Sequence, residues 1–313
     1  FDWGPVVLQD LLHIVGLILI VKWYREKKPA LLFLAGFTFG LGLWNKALFL
    51  WNLSGMAVAL IVVALPTIIR LWRVKCLIVF LIGICIGAAP LIVFNIKFPG
   101  ITIQENAHSS LADVPHKAAY LRLALDGRLA STSLIFSQHA GLDRIHRPLQ
   151  SVVLALAART GNFQSNWRFI PGVLIICLGL IVARGAHRKW ILFFLISGAI
   201  GWFESAITLN AGNSLHHTVL FWTDWYCAVA LGAACLTWVR RQITVPVIGA
   251  LIVVLMVRGA LAENLSYANM ILFSPTTAWT NAVQPLTKFL LQSGVKQAII
   301  TDWGISSFVS LRS

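Results

Sequence analysis

Ionisable side chains are rare within the apolar sequence of this chain, and those present gather in a few places. Asp10 and His13 stand three residues apart in "VVLQDLLHIV", so a helix sets them on one face. Such a pair can share a proton or contact a substrate. It can equally hydrogen-bond internally and lower the cost of burying each member. Glu204 lies alone in "GWFESAITLNAG", and a carboxylate there needs a partner, which points it towards function. His216 and His217 open "LHHTVLFWTDWYC", with Asp224 and Trp225 two turns further on. At 3.6 residues per turn His217 and Asp224 share a face. These groups can line a polar cavity or form a hydrogen-bond network between helices.

Lys46 closes the glycine-rich run "GLGLWNK" and is followed at once by more apolar sequence. A lysine at such a border can snorkel to the interface. It can also meet a phosphate at headgroup depth, where lysine serves as a point charge. Metal chemistry is poorly served. Adjacent histidines on a helix point about 100° apart. No HExxH occurs, and Cys76, Cys85, Cys177, Cys227 and Cys235 are scattered through apolar runs without CxxC spacing.

The elements that position these residues are membrane spans. Of 313 residues, 58% are hydrophobic and only 12% charged, about half the charge of a soluble domain, and mean hydropathy is +0.80. The apolar residues come in long runs, which predicts an all-α polytopic membrane protein. About eight spans are expected, near 5–24, 29–44, 47–69, 76–96, 169–184, 190–210, 217–239 and 243–259. The second and fifth are short for a full crossing. Gly36, Gly40 and Gly42 allow close approach of neighbouring helices.

Every second short loop is basic: Lys22, Arg25, Lys27 and Lys28; Arg70, Arg73 and Lys75; Arg184, Arg188 and Lys189; Arg240 and Arg241. The positive-inside rule places these loops in the cytoplasm and Asp2, Lys46, residues 97–168, residues 210–217 and the C-terminal segment outside. Basic membrane borders thus account for much of the net charge of +14 without a nucleic-acid partner.

Within 97–168, "KAAYLRLALD" (117–126) and "LQSVVLALAAR" (149–159) read as short amphipathic helices. They suit the interface plane, either covering a cavity or packing on the bundle. After about residue 260, "VQPLTKFLLQSG" (283–294) reads as a helix ended by Gly294, and "VKQAIITDWG" (295–304) as a buried strand and turn. Helix, glycine and strand begin an α/β unit. The expected organisation is a membrane bundle over 1–260 and the start of an outer soluble domain over 261–313, in a chain cut from a longer one.

Several stretches resemble, in order, the polyprenyl-phosphate-dependent, protein-mannosyltransferase-like membrane glycosyltransferases of the GT-C fold. "GLGLWNKALFLW" is similar to that family's glycine-leucine run ending in Thr-Lys, with Asn45 in place of Thr. "FDWGPVVLQDLL" resembles its Asp-containing approach to an earlier span. "LHHTVLFWTDWYCAVALGAA" is similar to the start of a late span rich in His or Arg and Tyr, without the usual "LLP". "VKQAIITDWGIS" resembles the start of the outer soluble domain of some bacterial members.

The resemblance implies transfer of a sugar from a polyprenyl-phosphate carrier to a glycan, lipid or protein acceptor on the outer face of a bacterial inner membrane. The carrier-linked sugar is the donor substrate, and no metal is strictly required. It implies that Lys46 contacts the carrier phosphate, that His216 and His217 assist the leaving charge, and that Asp2 lies near the sugar or acceptor. It places the principal base upstream of Phe1, so the isolated chain is expected to be inactive. Glu204 has no counterpart in the family motifs and stays a catalytic candidate on its own chemistry. Asp10, His13, Asp224 and Trp225 are expected to line the cavity.

Two other classes compete. A transporter would also use intramembrane charges, but no internal repeat is seen and the charges gather on one side. An O-antigen ligase or polymerase would share many spans, a large outer loop and lipid-linked glycans.

Overall fold

The computed structural model describes residues 6–71, 74–100, 102, 108–125, 148–160, 169–209, 215–273, 288–290, 292 and 293. They form an all-α membrane protein. The helices are α1 (Val6–Glu26), α2 (Pro29–Asn45), α3 (Phe49–Leu71), α4 (Val74–Gly87), α5 (Ala89–Lys97), α6 (Val114–Leu125), α7 (Pro148–Thr160), α8 (Phe169–Val182), α9 (Ala186–Ile207), a 3-10 helix η1 (Leu215–Phe221), α10 (Trp222–Thr237) and α11 (Arg241–Phe273). Among the described residues the one β pairing is an isolated antiparallel bridge, Ser109 with Thr208.

Among the described residues four helices are long and apolar enough to cross a membrane: α1, α3, α9 and α11. The bent pair α4–α5 makes a fifth candidate. The eight spans expected from hydropathy are not reached by length, because α2 has 17 residues, α8 has 14 and α10 has 16, against about 20 for a straight crossing. Ile18, Ile61, Val62, Ile78, Ile181 and Met256 are exposed aliphatics, as a lipid-facing exterior requires.

Three expected elements differ in detail. The run 76–96 breaks at Ala88 and turns by 67° between α4 and α5. Pro90 in the first turn of α5 lacks the N–H that a continuous helix would need there. The run 217–239 enters through a 3-10 helix and becomes α-helical only at Trp222. The last span continues to Phe273, because "ALAENL" loses hydropathy but keeps strong helix formers. In the tail, 288–290 and 292 are helical; the rest of the expected helix and the strand 295–304 lie outside the described residues.

The chain divides into two compact units. The first, Phe1–Leu129 with Ser165–Met256, carries every described site residue below. In the second, Asn264 Nδ2 donates to Val153 O of α7 at 3.0 Å.

Glycines set the helix spacing of the first unit. Gly36 and Gly40 of α2 face the carbonyls of Phe80 and Ile84 in α4, while Gly83 and Gly87 of α4 face those of Phe33 and Phe37. A Cβ at any of the four would sit well inside contact distance of backbone. The two small-xxx-small patterns therefore mesh, which is how helices associate where the hydrophobic effect offers no drive. Gly55 of α3 packs in the same way on Ser197 of α9. Phe39, Phe49, Met56, Ala59 and Phe193 fill the core between α2, α3 and α9.

Candidate functional site

The polar residues of α1, α3, α9, η1 and α10 meet at one end of this bundle. The Lys46 turn follows from local sequence: α2 ends at Asn45, Lys46 takes an extended conformation, and its N–H caps Gly42 O. Gln9 of α1 steadies that turn by donating from Nε2 to Lys46 O at 2.9 Å. The Lys46 side chain does not snorkel outward. Its ammonium donates to His217 Nε2 at 2.9 Å, linking the α2–α3 turn to η1. Partial burial holds the Lys46 ammonium below the usual lysine value.

Asp10 and His13 are not partners of each other in the described bonds. Thr223 Oγ1 donates to Asp10 Oδ1 at 3.0 Å. His13 is fully buried, its ring edge-on to Phe49. Asn52 Nδ2 lies 3.4 Å from His13 Nδ1 and donates to Leu220 O at 2.8 Å. His13 Nε2 faces Met56 Sδ at 3.3 Å and Asp224 Oδ1 at 3.9 Å. The Asn52 contact assigns Nδ1 as acceptor and the ring proton to Nε2. Asp224 is buried and accepts from Ser197 Oγ at 3.1 Å through Oδ2. Gln9 Oε1, Asn52 Oδ1 and Asp224 Oδ1 are buried acceptors with no hydrogen-bond donor among the described residues.

The expected shared face of His217 and Asp224 is not realised. Their 3-10 and α-helical segments turn differently, so His217 goes to Lys46 and Asp224 to Ser197. Glu204, half-buried near the end of α9, takes a hydrogen bond from Ser54 Oγ on α3. Trp225 stacks on Phe169, with ring centroids 5.5 Å apart. Asp2 and the side chain of His216 lie outside the described residues.

Two spaces adjoin this cluster. A cavity of about 300 Å³ is walled mainly by Leu121 and Leu125 of α6, Phe169 of α8, Trp202 of α9, Phe221 of η1 and Trp225 of α10. A smaller polar pocket of about 10 Å³, with room for one water, is lined by Lys117, Trp202, Ser205, Ala206, His217, Thr218 and Phe221. Trp202, Thr218 and Phe221 wall both.

Lys117 is the functional candidate that sequence inspection missed. It is 2% exposed and donates to Ser205 O and Thr208 O, the last carbonyls of α9. Burial lowers the affinity of its amine for a proton, with the Asp113 carboxylate pulling the other way. The signal was its spacing: Lys117, Leu121 and Leu125 fall at i, i+4 and i+8, on the apolar face of the predicted helix. Among the described residues no three His, Cys, Asp or Glu side chains come together as metal ligands.

No protein-family model matches this chain, and neither a curated protein nor a solved structure matches it.

Proposed function

We propose that this chain is the membrane part of a glycosyltransferase that moves a sugar from a polyprenyl-phosphate carrier to an acceptor on the outer face of the membrane. The supporting observation is the placement of the Lys46–His217 contact beside an apolar, aromatic-walled cavity. A basic head and an apolar body suit a lipid that ends in phosphate. Bacterial inner-membrane placement and eight spans with the Lys46 end outward belong to the same proposal.

In this reaction the acceptor hydroxyl attacks the anomeric carbon. The bond from that carbon to the phosphate oxygen breaks, the electron pair leaves with the phosphate, and the hydroxyl proton passes to a base. Lys46 supplies positive charge to the departing phosphate, and the neutral His217 ring offers an N–H donor. Glu204, hydrogen-bonded to Ser54, is a carboxylate candidate for the base at this end, with Asp2 as the second candidate from the sequence. Asp10, His13 and Asp224 hold α1, α3, α9 and α10 in register.

The test incubates the reconstituted protein, in its full reading frame, with a radiolabelled polyprenyl-phosphate sugar and follows release of polyprenyl phosphate. Release that depends on Lys46 supports the assignment, and an inert donor refutes it. A coupled transporter is the second reading, favoured by the half-buried Asp10 and the buried His13 and Asp224 at helix interfaces. Solute flux into sealed vesicles, without donor cleavage, would establish that instead.

A further inference from the structure

Helix α6 lays one stripe across both spaces. Lys117 lines the polar pocket, while Leu121 and Leu125 line the apolar cavity. At 1.5 Å per residue the stripe spans about 12 Å, basic at one end and aliphatic at the other. His217 lines the same polar pocket and carries Lys46 on its ring. Among the described residues no carboxylate lines that pocket. The buried Lys117 ammonium is met by the carbonyl dipoles at the end of α9, with Asp113 four residues earlier, just before α6.

We propose that Lys117 is a third basic ligand for the phosphate of a membrane lipid, together with Lys46 and His217, and that Leu121 and Leu125 hold the start of its chain. This rests on the donor class assigned above and adds the residue and the face that recognise it. An ammonium has three N–H donors, and the two carbonyls use two. The pocket holds about one water as it stands, so a phosphate enters only when α6 lifts from α9. Lys117 then exchanges carbonyl oxygens for phosphate oxygens, a stronger, charge-assisted bond. Helix α6 is thus a lid whose closed state is held by the residue that reads the ligand.

The test uses the full chain in phosphatidylcholine nanodiscs, with farnesyl phosphate, farnesol and inorganic phosphate as probes and calorimetry as readout. Farnesyl phosphate is expected to bind more tightly than either other probe. Lys117→Met is expected to weaken farnesyl phosphate about tenfold and leave farnesol unchanged. Leu121→Trp, which fills the cavity while keeping the polar contacts, is expected to weaken both farnesyl probes. Equal farnesyl phosphate affinity in wild type and Lys117→Met overturns this inference and leaves Lys117 a helix cap, while a loss in Lys46→Met alone would keep the donor assignment standing. Should Lys117→Met not fold, unchanged binding by Leu121→Trp overturns it equally. Inorganic phosphate binding as tightly as farnesyl phosphate overturns the lipid assignment in favour of a free-anion site. No binding of any probe overturns both proposals.

Discussion

Lys46 Nζ lies 2.9 Å from His217 Nε2, across 171 positions of sequence. The contact requires a neutral His217 ring that accepts through Nε2, since an ammonium only donates. It turns a lysine at a membrane border inward. Replacing Lys46 by Met keeps the apolar stem and removes the charge. This variant is expected to lose about tenfold or more in donor-lipid affinity, with little change in thermal stability. Calorimetric titration beside a melting curve separates the two; unchanged affinity would leave Lys46 as a structural tie.

The same lysine gives a pH dependence with a defined sign. Burial sets its folded value below the ordinary 10.5. Between those two values the unfolded chain binds more protons than the folded one, so this lysine's contribution to stability rises with pH. Phosphate affinity moves the other way, because the ammonium is lost as pH rises through the folded value. Affinity measured upward from neutral pH is expected to fall earlier than the titration of a free lysine. Lys46→Arg, which keeps its charge throughout, is expected to flatten that fall.

Glu204 and Ser54 are hydrogen-bonded across the α3–α9 contact, and conservative substitution tells base from brace. Glu204→Gln still accepts from the serine but takes up no proton. A catalytic Glu204 is expected to lose about 100-fold or more in turnover as Gln with an unshifted melting temperature. Ser54→Ala is expected to cost much less activity. Near-normal turnover in Glu204→Gln would remove Glu204 from the reaction.

The α2–α4 contact is expected to tolerate no side chain at Gly36 or Gly83. A Cβ at either meets backbone of the other helix, which cannot rotate away. Gly36→Leu is expected to destabilise by about 1–3 kcal/mol or more, the range for overpacking a filled interface, and to lower the melting temperature in detergent. Gly249→Leu on α11, where no described atom lies within 4 Å of an added Cβ, is the matched control and is expected to melt as wild type does.

Hydropathy and a few residue types determined much of this protein. Long apolar runs placed most of the helices within a few residues, the last one excepted, because a helix in lipid must satisfy its own backbone wherever it occurs. Asp10, His13, Lys46, Glu204, His217 and Asp224 were visible as costly exceptions, since the penalty for burying them is local. The small-xxx-small pattern at Gly36 and Gly40 announced a close helix contact. What it packs against was not legible, because a glycine face fits any helix with a matching one.

Only the tertiary structure decided the pairings. Asp10 and His13, neighbours on one helix face, go separately to Thr223 and to Asn52, because side chains on different helices offer better geometry than the same turn does. His217 and Asp224 part company because a 3-10 helix gives way to an α-helix between them. Lys117 drew no notice in an ordinary amphipathic stretch. It gained its place when α6 folded over the end of α9, whose carbonyls it meets. Sequence sets the cost of a buried charge residue by residue, whereas the group that offsets that cost comes from whichever helix packs alongside.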